Sequence, residues 1–266
     1  MTKSTYISTN LTEDQIKFLQ TLDDHEILYF NLDDLEKRLG LRLSNMNDLV
    51  ENLNHKGFLN RVERGTYTRP QFHDPYVLGT FISKGGVVAY WSAMHLHGLT
   101  ERFPNKVFVK TTMRKRNTNL FGTPIHFVSV RPNKLSGAVT NGYGDKSYGY
   151  TDLEVTILDC FDQPRYAGDW PDLLKAFSQA NLDAKNLIEQ AKLYNNISTV
   201  KRLGYLAELL KKKELAQFIN FAKQNLGKKY ILFEPGGEDS GSFNSDWMLR
   251  MNLTEGAIMQ IIENTY

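Results

Sequence analysis

The sequence is poor in cysteine and in long apolar runs. Its 266 residues contain one cysteine, Cys160, which excludes an intramolecular disulfide and a zinc site built from several thiolates. No apolar run approaches the roughly eighteen residues that a membrane helix needs, and the N-terminal residues lack the apolar centre of a secretion signal. We therefore expect a cytoplasmic protein without a membrane partner.

The motifs of common catalytic sites are also missing, since the chain has no GxxxxGK[ST], GxGxxG, HExxH or GxSxG. Cys160 falls on an apolar helical pattern, where a small buried hydrophobe is a commoner role than a nucleophile. Asp152, Glu154 and Asp159 suggest a nuclease centre, but Asp152 and Asp159 lie two helical turns apart, roughly 10 Å, too far to share an ion. A cap at Asp152 with Glu154 in the first helical turn is the simpler interpretation.

His95 and His97 suggest a metal site only if the segment is a strand. Ala93, Met94 and Leu96 favour a helix that ends at Gly98, and side chains two apart on a helix point away from each other. We therefore expect both histidines to be packed or hydrogen-bonded in a core, with no metal and no cofactor bound.

Charge is distributed unevenly along the chain, although the net formal charge is only +2. Residues 1–70 hold nine Lys or Arg against eleven Asp or Glu, whereas residues 100–135 hold eight Lys or Arg against Glu101 alone. The second window is the basic centre of the molecule, where a negatively charged partner would be attracted.

The first seventy residues carry the pattern of three short helices. Thr12 and Gln15 are spaced as a capping box in front of the first helix. The second follows Asn31 and stops at Gly40, a residue that readily takes the left-handed C-cap conformation. The third is expected over Ser44–His55, capped by its first residue, with apolar residues on one face. Two short helices joined by a tight turn form a helix-turn-helix.

The next segment, FLNRVERGTYTRP, favours a hairpin that turns at Arg64-Gly65. A hairpin directly after a helix-turn-helix is a wing, so the third helix would enter a DNA major groove by its N-terminal end while the wing reaches phosphates. Asparagine pairs well with adenine, which gives the helix base-reading chemistry. The predicted DNA-binding residues are Arg42, Ser44, Asn45 and Asn47 at the helix start, with Lys56, Arg61, Arg64 and Arg69 in and around the wing.

Two further features bear on this prediction. A winged helix can also dock a protein, and Asp48 and Glu51 on the third helix would repel phosphate if they faced it. The basic run MRKRN, residues 113–117, is a solvated turn in the simplest interpretation. In a DNA-binding chain, its cations Arg114, Lys115 and Arg116 supply additional phosphate contacts that carry no sequence information.

The rest of the chain predicts a mixed α/β region with a small sheet and a helical half. Strands are expected from Lys106, over 124–130 and over 230–233, and helices over 171–180, 183–193, 198–210 and 213–224. Residues 234–246 are dense in Gly, Ser, Asn and Asp and predict a flexible loop. The predicted fold class is α+β, with a winged helix-turn-helix domain at 1–72 and a C-terminal domain at 73–266.

Four sequence segments, in this order, resemble those of the AbiEi family of type IV toxin-antitoxin antitoxins. They are the RGTYTRP that ends the wing, YWSAMHLHGLTERFPNKVFV, YTDLEVTILDCFDQPRYAGDW and VKRLGYLAELL, and the resemblance spans about residues 11–210. It implies a cytoplasmic regulator of abortive infection that represses its own promoter by binding inverted repeats in double-stranded DNA.

The resemblance also implies that the C-terminal domain is an antitoxin that counters a cognate nucleotidyltransferase-type toxin without a stable complex, and is not an enzyme. The alternative hypothesis is a nuclease or transferase whose divergent catalytic C-terminal domain is brought to DNA by the winged helix.

Overall fold

The computed structural model describes residues 10–40 and 45–264, and in these ranges it is a mixed α/β protein with eleven α-helices and three sheets. No helix in these ranges is both long and apolar enough to cross a membrane.

The first part of the chain folds as three helices and a three-stranded antiparallel sheet. Its elements are α1 (Glu13–Asp24), β1 (Tyr29–Asn31), α2 (Leu32–Leu39), α3 (Met46–His55), β2 (Asn60–Glu63) and β3 (Thr66–Thr68). The sheet order is β1-β3-β2, so β3 lies in the centre and pairs with both neighbours. The three helices and the hairpin lie where the sequence predicts them, whereas β1 was not predicted.

Local signals set the ends of these helices. Thr12 and Gln15 form the predicted capping box, and Asn31 accepts a hydrogen bond from the backbone of Asp33 at the start of α2. Gly40 ends α2 with a φ of 62°, in the left-handed region. The predicted cap of α3, Ser44, lies outside the described residues, and the helix begins at Met46.

The inner faces of these elements close a core of their own. Leu22 of α1, Leu35 of α2, Val50 and Leu53 of α3 and Tyr67 of β3 are at most 2% exposed and belong to one apolar cluster. The apolar spacing in each helix therefore marks its buried face, as the sequence predicts.

The second part is built on a six-stranded mixed sheet. Its elements are α4 (Pro75–Ile82), β4 (Val87–Val88), α5 (Tyr90–Leu96), β5 (Val107–Thr111), β6 (Thr118–Leu120), β7 (Thr123–Ser129), β8 (Ala138–Asn141) and β9 (Tyr148–Thr151). The strand order is β6-β7-β5-β4-β9-β8, with β5 parallel to β7 and β4 parallel to β9. All of β5 is buried, because both faces of this central strand are covered.

A helical half follows the sheet. It comprises α6 (Leu153–Asp162), α7 (Trp170–Gln179), α8 (Ala184–Tyr194), α9 (Ile197–Leu209), α10 (Ala216–Gln224), β10 (Ile231–Leu232), β11 (Ser242–Asn244), β12 (Leu249–Met251) and α11 (Glu255–Glu263). The four helices predicted here are present. The predicted loop over 234–246 is wrong in part, because β11 lies within it and pairs antiparallel with β12, which follows later in the chain.

The two parts share an apolar contact. Tyr29 of β1 stacks on Phe72 with ring centroids 5.6 Å apart and meets Phe81 of α4 edge-on at 4.6 Å. Phe72 is buried in the cluster that also holds Val109 of β5, and Val62 of the hairpin packs against the same cluster. The small sheet therefore packs against Phe72 and α4, which belong to the same apolar cluster as residues of the large sheet.

Trp247 closes the helical half against α9. Its side chain is 1% exposed, and its indole N–H donates to Glu208 over 2.6 Å. The ring lies over Gly204, where a Cβ atom would come within 2.6 Å of Trp247 Cη2 and 2.8 Å of Ala222 Cβ. Glycine is thus required at this position by the closeness of the neighbouring side chains.

Gly204→Ala should destabilise the protein by about 1–3 kcal/mol, because the added methyl pushes Trp247 and α10 away from α9. Gly256→Ala is the matched control, since no atom lies within 4 Å of a Cβ at that helical position and alanine favours the helix. Thermal unfolding compares the two. A midpoint for Gly204→Ala equal to or above that of Gly256→Ala would contradict this packing.

Candidate nucleic-acid interface

The start of α3 presents polar side chains to solvent. Asn45, Asn47 and Asp48 are exposed, whereas Met46 and Val50 turn inward to the core. This division follows from the helical period, which places the apolar residues on the opposite face. Of the predicted contacts at this end, Arg42 and Ser44 lie outside the described residues.

The hairpin places Arg64 at its turn. Gly65 has a φ of 73°, the left-handed conformation that such a turn needs, and Arg64 is exposed. In the described part of the chain, no carboxylate forms an ion pair with Arg64. Its guanidinium is therefore available to an external anion.

Arg61 is exposed but has an internal partner. Its guanidinium lies 3.2 Å from Glu51 of α3, which also accepts a hydrogen bond from the Tyr67 hydroxyl over 2.8 Å. Burial and then the hydrogen bond to Glu51 raise the pKa of Tyr67 to about 12, so its hydroxyl stays protonated and donates. The carboxylate of Glu51 is thus held by groups of the protein itself and aligned between helix and hairpin.

The basic segment, residues 113–117, lies beside the hairpin. Lys115 Nζ is 2.6 Å from Glu63 Oε2 of β2 and 5.5 Å from the centre of the Phe127 ring. Its neighbours Arg114 and Arg116 are exposed and form no ion pair with any described residue. The fold therefore brings the basic segment and the hairpin together, although 52 residues separate the paired charges along the chain.

Two predicted contacts are directed into the protein. Lys56 Nζ donates to the backbone oxygen of Asn10 over 2.7 Å and to Gln15 Oε1 over 2.9 Å. The Arg69 side chain is 15% exposed and pairs with Asp23 at 2.9 Å. Arg69 follows the last residue of β3, at the end of the strand away from the hairpin turn. Both side chains are committed to contacts that hold α1 in place.

The two histidines are half-buried and contact other residues, His97 through a hydrogen bond and His95 through the exposed Phe103. His97 lies at the end of α5 with Nε2 2.8 Å from the backbone oxygen of Thr151, and the His95 ring packs at 4.6 Å from that of Phe103. Among the described residues, no group of three or more His, Cys, Asp and Glu side chains is placed to hold a metal ion.

The carboxylates of α6 also have internal partners. Asp152 caps the helix by accepting from the Val155 backbone over 2.8 Å, as predicted. Glu154 accepts from the backbone of Asp183 and from the side chain of Asn186, both over 2.8 Å. These contacts join α6 to α8, and they leave the carboxylates facing protein donors.

Asp159 belongs to a buried ion pair that the sequence analysis missed. Lys110 of β5 is 0% exposed, and its Nζ lies 2.7 Å from Asp159 Oδ2 and 3.0 Å from the Tyr194 hydroxyl. Burial and the neighbouring Asp159 raise the pKa of Tyr194 well above its ordinary value, so the hydroxyl remains protonated and donates to Asp159. The three groups connect the central strand to α6 and α8.

Cys160 is fully buried beside this ion pair. Burial and the charge of Asp159 raise the pKa of its thiol well above the ordinary value. The thiolate, which is the nucleophilic form, is therefore suppressed at neutral pH.

The chain matches no protein-family model and no curated protein. It does share its fold with the Rv2827c protein from Mycobacterium tuberculosis, whose crystal structure aligns over 97% of each chain with a TM-score of 0.66 at 15% sequence identity. The likeness extends through both parts of the chain and concerns the fold.

Lys110→Met should destabilise the protein by about 3–5 kcal/mol, because it leaves the carboxylate of Asp159 buried without its cation. The triple change Lys110→Met, Asp159→Leu and Tyr194→Phe removes all three polar groups and should be less destabilising. Urea unfolding measures both, with exposed Lys228→Met as the control. A single variant within about 1 kcal/mol of the wild type would show that the pair contributes little.

Proposed function

We propose that residues 1–72 form a winged helix-turn-helix domain that binds double-stranded DNA. The order of elements supports this, with three helices interleaved with β1 and followed by the β2–β3 hairpin. In such domains the second helix of the helix-turn-helix enters the major groove by its N-terminal end. Here that helix is α3, whose exposed leading residues include Asn45 and Asn47.

The side chains at this end suit DNA recognition. Asparagine can donate to and accept from the edge of adenine, which makes Asn45 and Asn47 the proposed base-reading residues. Arg64 at the wing's turn is the proposed phosphate contact, since it is exposed and has no carboxylate partner among the described residues. Arg61 ties the wing to α3 through its ion pair with Glu51. Lys56 and Arg69 are left out of the proposed interface because their contacts hold α1 in place.

The regulatory role is proposed from the resemblance to type IV antitoxins. On this proposal the chain represses its own promoter through α3 and the wing, and residues 73–266 counter a nucleotidyltransferase-type toxin in the cytoplasm. The internal contacts of Asp152, Glu154 and Asp159 speak against the nuclease alternative, because each carboxylate already has a protein donor. Incubating the full chain with DNA, RNA and nucleotides in Mg²⁺ or Mn²⁺ tests for such an activity directly.

The DNA upstream of the gene for this chain should bind the full-length protein, and two variants should weaken binding in different ways. Arg64→Ala should make the negative slope of log affinity against log salt shallower by about 0.9, the loss of one phosphate contact. Asn47→Ala should reduce the preference for that DNA over random DNA by roughly 1–3 kcal/mol. Fluorescence anisotropy with both DNAs measures each effect.

Lys213→Ala is the control for the loss of a positive charge, since this exposed lysine lies in the helical half. The proposal fails if the wild type does not bind duplex DNA, or if Arg64→Ala and Lys213→Ala have the same salt dependence.

Antitoxin function should be separable from DNA binding by the wing. The full chain, expressed with the nucleotidyltransferase-type toxin from its own locus, should restore growth, and Arg64→Ala should restore it equally while repressing the promoter less. The two readouts are colony growth and a promoter-reporter assay. If the wild-type chain is expressed at a verified level and does not restore growth, the antitoxin assignment is refuted.

A further inference from the structure

Contacts hold the wing and the large sheet together at both ends of β2. Near the turn, Glu63 pairs with Lys115 at 2.6 Å. At the start of β2, Asn60 Nδ2 lies 3.1 Å from His73 Nε2, and the His73 ring packs at 4.2 Å from that of Phe121 beside β6. The wing is therefore braced along its outer strand, and its position is set by the second part of the chain.

The cation of Lys115 is used within the protein. Its side chain is 18% exposed and lies between the Glu63 carboxylate and the Phe127 ring. Glu63 directly precedes Arg64, so an unpaired carboxylate there would repel the phosphate that Arg64 is proposed to contact. Lys115 removes this repulsion and fixes the basic segment against the wing in one contact.

We propose that Lys115 is a positioning residue that joins the wing and the basic segment into one phosphate-binding surface, on which Arg64, Arg114 and Arg116 contact the DNA backbone. Arg114 and Arg116 flank Lys115 in the sequence, and Arg64 directly follows Glu63, the residue with which Lys115 pairs. All three are exposed and form no ion pair with a described residue. This inference rests on the proposed DNA binding and assigns a share of it to the second part of the chain.

Arg114→Ala with Arg116→Ala tests the contacts. With random-sequence duplex DNA and the full chain, the negative slope of log affinity against log salt should become shallower by about 0.9 for each arginine that contacts a phosphate. Lys228→Ala with Lys229→Ala is the matched control, because it removes the same charge from exposed positions elsewhere. An arginine variant that keeps the slope of this control overturns the inference.

A charge reversal tests the positioning role. Lys115→Glu places two carboxylates together and should make the slope as shallow as the double arginine variant does. Adding Glu63→Lys restores an ion pair of opposite polarity and should recover most of the wild-type slope. Adding Glu238→Lys instead restores the net charge at a distant exposed residue and should recover little. Equal recovery in the two double variants would show that net charge matters and the pair does not.

The outcome separates this inference from the function on which it depends. A wild-type chain that does not bind duplex DNA at low salt refutes the DNA-binding proposal itself. A wild type that binds and is weakened by Arg64→Ala, but not by Arg114→Ala with Arg116→Ala, refutes only the role of the basic segment. Circular dichroism of each variant confirms that the compared proteins are folded.

Discussion

The buried ion pair between Lys110 and Asp159 is the contact on which the second part of the molecule depends. It connects the central strand β5 to α6, and Tyr194 of α8 hydrogen-bonds to both charged groups. A charge pair removed from water is favourable only when its remaining hydrogen-bonding positions are filled. Here the Tyr194 hydroxyl fills one such position on each charged group. Lys110 lies three residues before the basic segment, so the same contact fixes the strand that leads into the loop carrying Arg114 and Arg116.

A chain of contacts runs from this fixed strand to the wing. The stacking of Tyr29 on Phe72 joins the small sheet to the second part of the chain, and the pair of Lys115 with Glu63 holds the turn of the hairpin. Carboxylates at a DNA-binding surface would oppose binding, but at the wing Glu51 and Glu63 each have a cationic partner. Asp48 at the start of α3 is exposed and forms no ion pair with a described residue. The acidic average of the first seventy residues therefore gives a poor picture of the charge that the wing presents.

Local signals predicted the parts of the structure that depend on neighbours in sequence. The capping box at Thr12, the end of α2 at Gly40 and the turn at Gly65 each follow from residues within one turn. The two-residue strand β4 and the three-residue strands β1 and β11 are too short for a periodic signal and exist because of partners elsewhere in the chain.

The same limit applied to the candidate site. Exposure of Asn47 and Arg64 follows from helical period and turn position, so the sequence predicts it. The pairing of Lys115 with Glu63 joins residues 52 apart and that of Lys110 with Asp159 joins residues 49 apart, and no local pattern contains either.

Hydrogen–deuterium exchange of the full chain with and without duplex DNA tests the proposed surface most directly. We expect slower exchange at residues 45–48, 60–66 and 113–117 together, with no change over 226–246. Bound DNA that protects none of the first three regions would contradict it.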